Sequence, residues 1–166
     1  MCYIGVNDTF TRAHKDLCGS FGHNLMCYTS EGASAFWFMS AGGPVEQDVP
    51  TDYFRNVLKK QLDLENHRAT VAEFRAAPFD VYVTEQKLGD MVLVPVRSCH
   101  QVVNRGGITL KMSWSRMGIK SLEYSLHSEL LLYHRYVQLD VTNLTNYAAE
   151  YVGRKPTASN LHYLPP

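Results

Sequence analysis

Met91-Val92-Leu93-Val94-Pro95-Val96-Arg97-Ser98-Cys99-His100-Gln101-Val102-Val103-Asn104 is the stretch on which the fold turns. A short apolar run stops at Pro95, a brief loop follows, and His100 opens a second run ending at Asn104. Proline ends the first run because it has no N–H to give to a ladder. Upstream, Phe79-Asp80-Val81-Tyr82-Val83-Thr84 alternates in polarity and Leu88-Gly89-Asp90 reads as a turn. Downstream, Arg105-Gly106-Gly107 separates His100–Asn104 from Ile108–Ser115. Residues 79–116 are therefore predicted to be β.

The N-terminal part has the same texture. Segments 2–6 and 10–14 lie on either side of Asn7-Asp8, and segments 23–30 and 34–40 flank the hairpin signal Ser30-Glu31-Gly32-Ala33. Between the two groups of strands, residues 47–77 change character. Val49-Pro50-Thr51-Asp52 opens a helix with Tyr53, Val57, Leu58 and Leu62 at helical spacing, and a second helix is expected over Thr70 to Ala76, stopped by Pro78. Residues 118–134 carry Leu122, Tyr124, Leu126, Leu130, Leu131 and Leu132 on a broad apolar helical face. Strands, a helical insert and strands again predict a mainly β protein, a jelly-roll or cupin barrel. The core is placed at 1–116, with the insert at about 47–77 and a C-terminal helical extension over 117–166.

Bulk composition narrows the functional classes. The chain has 166 residues, 45% hydrophobic and 19% charged, which is globular composition suited to one domain and a small appendage. Sixteen basic residues balance sixteen acidic ones, so global charge argues neither for nor against nucleic acid; with no clear basic stripe in the sequence, direct nucleic-acid binding is not indicated. No apolar run reaches the roughly 18 residues of a membrane helix. Cys2, Cys18, Cys27 and Cys99 show no C-x-x-C spacing, which argues against a zinc site built from them and for free thiols inside the cell, in nucleus or cytoplasm.

His14-Lys15-Asp16 places two metal-binding side chains two residues apart at a strand end, where they share a face. His100 is the candidate third ligand. Two imidazoles and a carboxylate on one side of an ion leave open positions on the other, an arrangement suited to non-haem iron(II). A histidine at a strand end is also a common structural residue, so spacing alone leaves both readings open.

The words around these residues add a resemblance. Gly89-Asp90 through Pro95, then His100 and Asn104 four residues on, resembles the distal-histidine segment of JmjC domains. Thr11-Arg12-Ala13-His14-Lys15-Asp16 resembles the proximal segment, and Trp37 sits near the aromatic that ends the family's next hairpin. The likeness covers residues 1–116. It implies a double-stranded β-helix, Fe(II) held by His14, Asp16 and His100, 2-oxoglutarate as co-substrate, and hydroxylation or N-methyl-lysine demethylation of a protein side chain, histones being among the candidate substrates.

One position departs from the family pattern. The lysine that JmjC domains usually place two residues before the hairpin aromatic is Ala35 here, and no Lys or Arg occurs between Lys15 and Arg55. A buried co-substrate carboxylate needs a cation. On the strand 108–115, Thr109, Lys111, Ser113 and Ser115 share one face and Ile108, Leu110, Met112 and Trp114 the other. If the apolar face packs against helices outside the barrel, Lys111 points inward and can meet the carboxylate. Thr11 could add a hydroxyl there, with Asn24 and Ser113 near the other end of the co-substrate. Tyr3, Tyr28 and Tyr82 are further candidates to reach inward.

Two other classes stay open: a catalytically inactive JmjC-like scaffold, favoured by Ala35, and a cupin metalloenzyme that does not use 2-oxoglutarate. The helix 118–134 would either cover the barrel or make a homodimer. Strand-like sequence begins at residue 2, whereas the family carries one or more strands and a helix before this segment. The resemblance therefore implies missing N-terminal elements, an exposed sheet edge, and lower stability or self-association.

Overall fold

Strand alternation folds the first part of the chain into two facing sheets. The computed structural model describes residues 1–42 and 48–129, and the chain divides into two compact units, Met1–Arg116 and Met117–Pro166. The strands of the first unit are β1 (Cys2–Val6), β2 (Phe10–His14), β3 (Phe21–Thr29), β4 (Ser34–Ser40), β5 (Val81–Gln86), β6 (Met91–Val94), β7 (His100–Arg105) and β8 (Ile108–Arg116). They form two four-stranded sheets in the orders β1-β8-β3-β6 and β2-β7-β4-β5, with every pairing antiparallel. Successive strands alternate between the sheets except β4 and β5, which flank the insert and pair with each other; this is the winding of a double-stranded β-helix, the jelly roll expected from the sequence. The β3–β4 hairpin turns where expected: Ala33 N–H donates to the Ser30 carbonyl at 2.8 Å, with Glu31 and Gly32 both at positive φ.

Met26, Ala35, Trp37, Val92, Val94 and Val102 fill the space between the sheets. Gln86, with no exposed surface, is the polar member of that layer. Its Oε1 accepts from Trp37 Nε1 at 2.8 Å. Its Nε2 donates to the Asn24 carbonyl, Asn24 Oδ1 and the Asp90 carbonyl at 2.9–3.2 Å. The end of β5 is thus tied across the barrel to β3 and to the turn before β6.

The insert packs on the outer face of the β2-β7-β4-β5 sheet through Phe54, Leu62 and Phe74. Helix α1 (Val49–Asp52) starts where Asp48 accepts from Thr51 N–H at 3.3 Å and widens into a π-turn over Tyr53–Val57. The expected helical run to Leu62 is interrupted: Lys59 takes a left-handed φ of 57°, and Leu62 reaches the core from a separate 3-10 turn, Leu62–Leu64. Helix α2 (Val71–Arg75) is bounded by a full capping box, Thr70 with Glu73, and by Ala76 at its C-terminus.

In the second unit, α3 (Ile119–Tyr124) continues as a π-turn over Ser125–Glu129. The rest of the helix expected over 118–134 lies outside the described residues. No helix among the described residues is long and apolar enough to cross a membrane. The apolar face of β8 departs from expectation: Ile108, Met112 and Trp114 are 41–45% exposed instead of lying under helices.

Truncating Gln86 to alanine removes one partner from several buried groups. Each buried polar group left unpaired costs about 1–3 kcal/mol. Gln86→Ala is expected to lower the unfolding free energy by about 2–4 kcal/mol, read from the urea midpoint.

Candidate metal and co-substrate site

A bulge in β2 aims the first histidine. Phe10 pairs with Val103 and Thr11 with Val102, but the register shifts before His14, which pairs with His100. In an unbroken strand His14 would share a face with Phe10, on the outside of the sheet. The extra residue turns it inward, beside its cross-strand partner. Ala13 N–H, inside the bulge, donates to the His67 carbonyl at 3.1 Å, so the insert holds the bulge in place.

The three sequence-predicted metal residues come together here. One ligand atom from each of His14, Asp16 and His100 lies within 4.8 Å of the others. The imidazole rings are 4.2 Å apart and tilted, and Asp16 Oδ1 lies 3.8 Å from His100 Nε2. His14 Nδ1 is 2.8 Å from the Arg12 carbonyl and His100 Nδ1 is 3.1 Å from the Ser98 carbonyl. A carbonyl can only accept, so each Nδ1 carries the hydrogen and each Nε2 offers a lone pair. Burial, followed by the nearby His14, pushes His100 down to about 3, so its imidazole is neutral. Burial also holds the Asp16 carboxyl above its usual range, opposed by His14 and reinforced by Glu65. Two imidazoles and a carboxylate converging from one side could hold a divalent transition metal.

Further residues support this cluster, and of them only Trp37 is marked in the sequence. Trp37 stacks on His100 with centroids 5.9 Å apart, and Gln86 fixes the Trp37 indole. Lys15, between His14 and Asp16, donates to Asp48 Oδ2 at 2.6 Å and to Thr51 Oγ1 at 2.7 Å. Arg97 reaches the same Asp48 oxygen at 3.2 Å. Gly22 faces Asp16 so closely that a Cβ there would collide with Asp16 Oδ2. Apart from Trp37, none of these residues carries a compositional signal; each is recognisable only once the strands are paired.

The cluster opens into a cavity of about 200 Å³ between the sheets, lined also by Tyr3, Thr11, Asn24, Asn104, Lys111 and Ser113. Lys111 points inward and is 4% exposed. Its Nζ donates to Asn104 Oδ1 at 2.6 Å. The same oxygen accepts from Thr109 Oγ1 at 3.2 Å, while Asn104 Nδ2 donates to Thr9 Oγ1 at 3.0 Å. Burial lowers Lys111 to about 8. No carboxylate pairs with it among the described residues. Asn24 is held by Gln86, and Ser113 Oγ donates to the His23 carbonyl at 3.0 Å.

Two of the three tyrosines do not reach the cavity. A second bulge, between Met26 and Tyr28, turns Tyr28 outward, where it is 52% exposed, and Tyr82 sits 55% exposed on the edge strand β5. Ala35 is fully buried in the barrel core, so residue 35 supplies no cation.

A family model described as JmjC domain, hydroxylase, matches residues 1–115. C-module-binding factor A of Dictyostelium discoideum is 39% identical over 137 residues. The match covers 78% of this chain but 13% of that protein, so the chain spans a small part of the relative's length.

Gly22→Ala is expected to push the Asp16 carboxylate away from the two imidazoles. Because the colliding atom ends a flexible side chain, the fold should survive while affinity for Mn(II) falls about tenfold or more. Isothermal titration alongside a thermal melt separates the two effects.

Proposed function

From the premise that this chain belongs to the JmjC domain family, we propose that it is an Fe(II)- and 2-oxoglutarate-dependent oxygenase acting on a protein side chain, by hydroxylation or by N-methyl-lysine demethylation. His14, Asp16 and His100 are the proposed ligands. Their donor chemistry, with both Nδ1 atoms engaged, fits a redox-active divalent ion that keeps open positions. When bound, iron and 2-oxoglutarate supply the oxidising chemistry, with succinate and carbon dioxide as by-products.

One observation carries the reading: a buried lysine with a single neutral acceptor lines the same cavity as the three ligands. A buried ammonium is costly unless a counter-charge arrives, and a dicarboxylate provides one. The location also answers the departure at Ala35. Ala35 and Asn104 are cross-strand partners, and Asn104 is the residue that holds Lys111 Nζ. Lys111 thus delivers its ammonium from β8 to the neighbourhood that a lysine at position 35 would serve from β4. Thr11 lines the same cavity and offers a hydroxyl, and Asn24 and Ser113 offer polar groups on β3 and β8. The chain's own work is to hold the ligands, receive the anion at Lys111 and shield the interior with Trp37 and Val102.

The buried alanine in place of the usual hairpin lysine favours a second reading, a metal-binding scaffold without turnover. Anaerobic Fe(II) titration followed by a succinate assay under oxygen decides between them. The oxygenase reading expects succinate that depends on 2-oxoglutarate and disappears in His100→Ala; iron binding without succinate would establish the scaffold.

Lys111→Ala is expected to weaken 2-oxoglutarate binding by about 1.5–3 kcal/mol with a redox-inert metal in the site. Adding Ala35→Lys in that background should recover part of the loss, and no loss in the single variant refutes the role of Lys111.

Acidity provides a separate check. Anion binding stabilises the charged ammonium, so affinity should be flat below about pH 7 and fall as pH rises through the Lys111 value of about 8. In Lys111→Ala this dependence should vanish.

A further inference from the structure

The sheet that carries His100 on its inner face has a second cavity on its outer face. Along β7, His100, Val102 and Asn104 line the interior cavity, while Gln101, Val103 and Arg105 line a groove of about 600 Å³ on the other side. The insert supplies the opposite wall with Arg68, Thr70, Val71 and Phe74. Phe38 and Phe74 stack with centroids 5.4 Å apart and nearly parallel planes, forming an apolar pit with Val103 and Phe36. The wall is tethered without filling the groove: Gln101 Nε2 donates to the Ala69 carbonyl at 2.9 Å, and Gln101 Oε1 accepts from Ala69 N–H at 2.8 Å.

Two guanidinium groups bracket this pit. Arg68 Cζ lies 4.4 Å from the centre of the Phe10 ring, and Arg105 Cζ lies 5.9 Å from that of Phe36. Phe10 and Phe36 are the two cross-strand neighbours of Val103, so the cations stand on rings separated by two strand spacings, about 10 Å. Neither arginine makes an ion pair among the described residues. The nearby acids are engaged elsewhere: Glu73 with Thr70 and His67, and Glu85, across from Phe36, with Lys87. A guanidinium lying on an aromatic face keeps its N–H edge available for a carboxylate.

We propose that this groove docks an acidic segment of a partner protein, with two carboxylates straddling one bulky apolar side chain. Ten ångströms is about three residues of extended chain. Carboxylates at that spacing can meet Arg68 and Arg105 in forked pairs while the apolar side chain enters the Phe36–Phe38–Phe74 pit. Nucleic acid fits less well, because a phosphate backbone is held by a track of cations and here two cations flank an apolar depression. The site is separate from the metal and co-substrate cavity, since the sheet lies between them.

Fluorescence anisotropy on the full chain tests the idea with a labelled peptide, Gly-Ser-Glu-Glu-Phe-Glu-Glu-Ser-Gly. Binding is expected to be saturable and weakened by salt. It should fall about tenfold or more when the peptide glutamates become glutamines, or in the Arg68→Glu/Arg105→Glu protein. Replacing the peptide phenylalanine with serine should also weaken it, and saturating 2-oxoglutarate should not displace it. Arg68→Gln/Arg105→Gln, compared by thermal melt, guards against a fold defect in the charge-reversed protein. Absence of saturable binding, equal binding of the glutamine peptide, displacement by 2-oxoglutarate, or tighter binding of a short oligothymidylate would each overturn the proposal.

Discussion

The structure depends on a change of parity in β2. Side chains in a strand alternate strictly, so Phe10 on the outer face would carry His14 with it. The bulge before His14 breaks that alternation, and the residue inside the bulge is pinned by the His67 carbonyl. The inward imidazole, its pairing with His100 and the position of Asp16 all follow from one inserted residue. The helical insert therefore contributes to the site without placing a side chain in it. Its backbone sets the bulge, and Asp48 and Thr51 restrain Lys15 between two of the proposed ligands.

Electrostatics inside the barrel are organised around one cation. Lys111 enters a space lined by amides, hydroxyls and imidazoles, with the acidic side chain of Asp16 beside His14 and His100. Asn104 orients the ammonium by accepting from it while donating to Thr9. β1 must approach this arrangement closely: a side chain at Gly5 would collide with Asn104 and Thr109. Neutral groups that orient a buried charge without cancelling it leave that charge available to an anion. That separates this lysine from one engaged in a structural ion pair, such as Lys15 with Asp48.

Much of this was legible in the sequence. Alternation, turn residues and Pro95 located the strands, and the second insert helix was expected over Thr70 to Ala76, close to the observed Val71–Arg75. The two-faced pattern of β8 put Lys111 opposite the apolar residues but left its direction conditional on a helical cover over them; Lys111 is buried although Ile108, Met112 and Trp114 are exposed. The missing parts share a cause: they arise where chain segments distant in sequence meet. Neither bulge has a compositional mark, so the outward turn of Tyr28 could not be foreseen. Lys59 is an ordinary residue in a left-handed conformation, so the early end of the first insert helix was invisible to helical spacing. Gln86 closes a strand of mixed polarity, and its role exists only through Trp37, Asn24 and Asp90. The outer face of β8 was assigned a cover on grounds of hydrophobicity, yet its side chains are substantially exposed.

β7 is an unusual constraint on how this sequence can drift. Its odd and even positions serve different chambers, one with His100 and Asn104 and the other with Gln101 and Arg105. Substitution at one position can be judged against one chamber alone. Gain or loss of a single residue cannot, because a one-step slip exchanges the two sets. An arginine would then face the barrel interior and a histidine the groove. Length changes in this part of the chain are therefore confined to the turns at either end of the strand, while composition along it can vary by alternate residues.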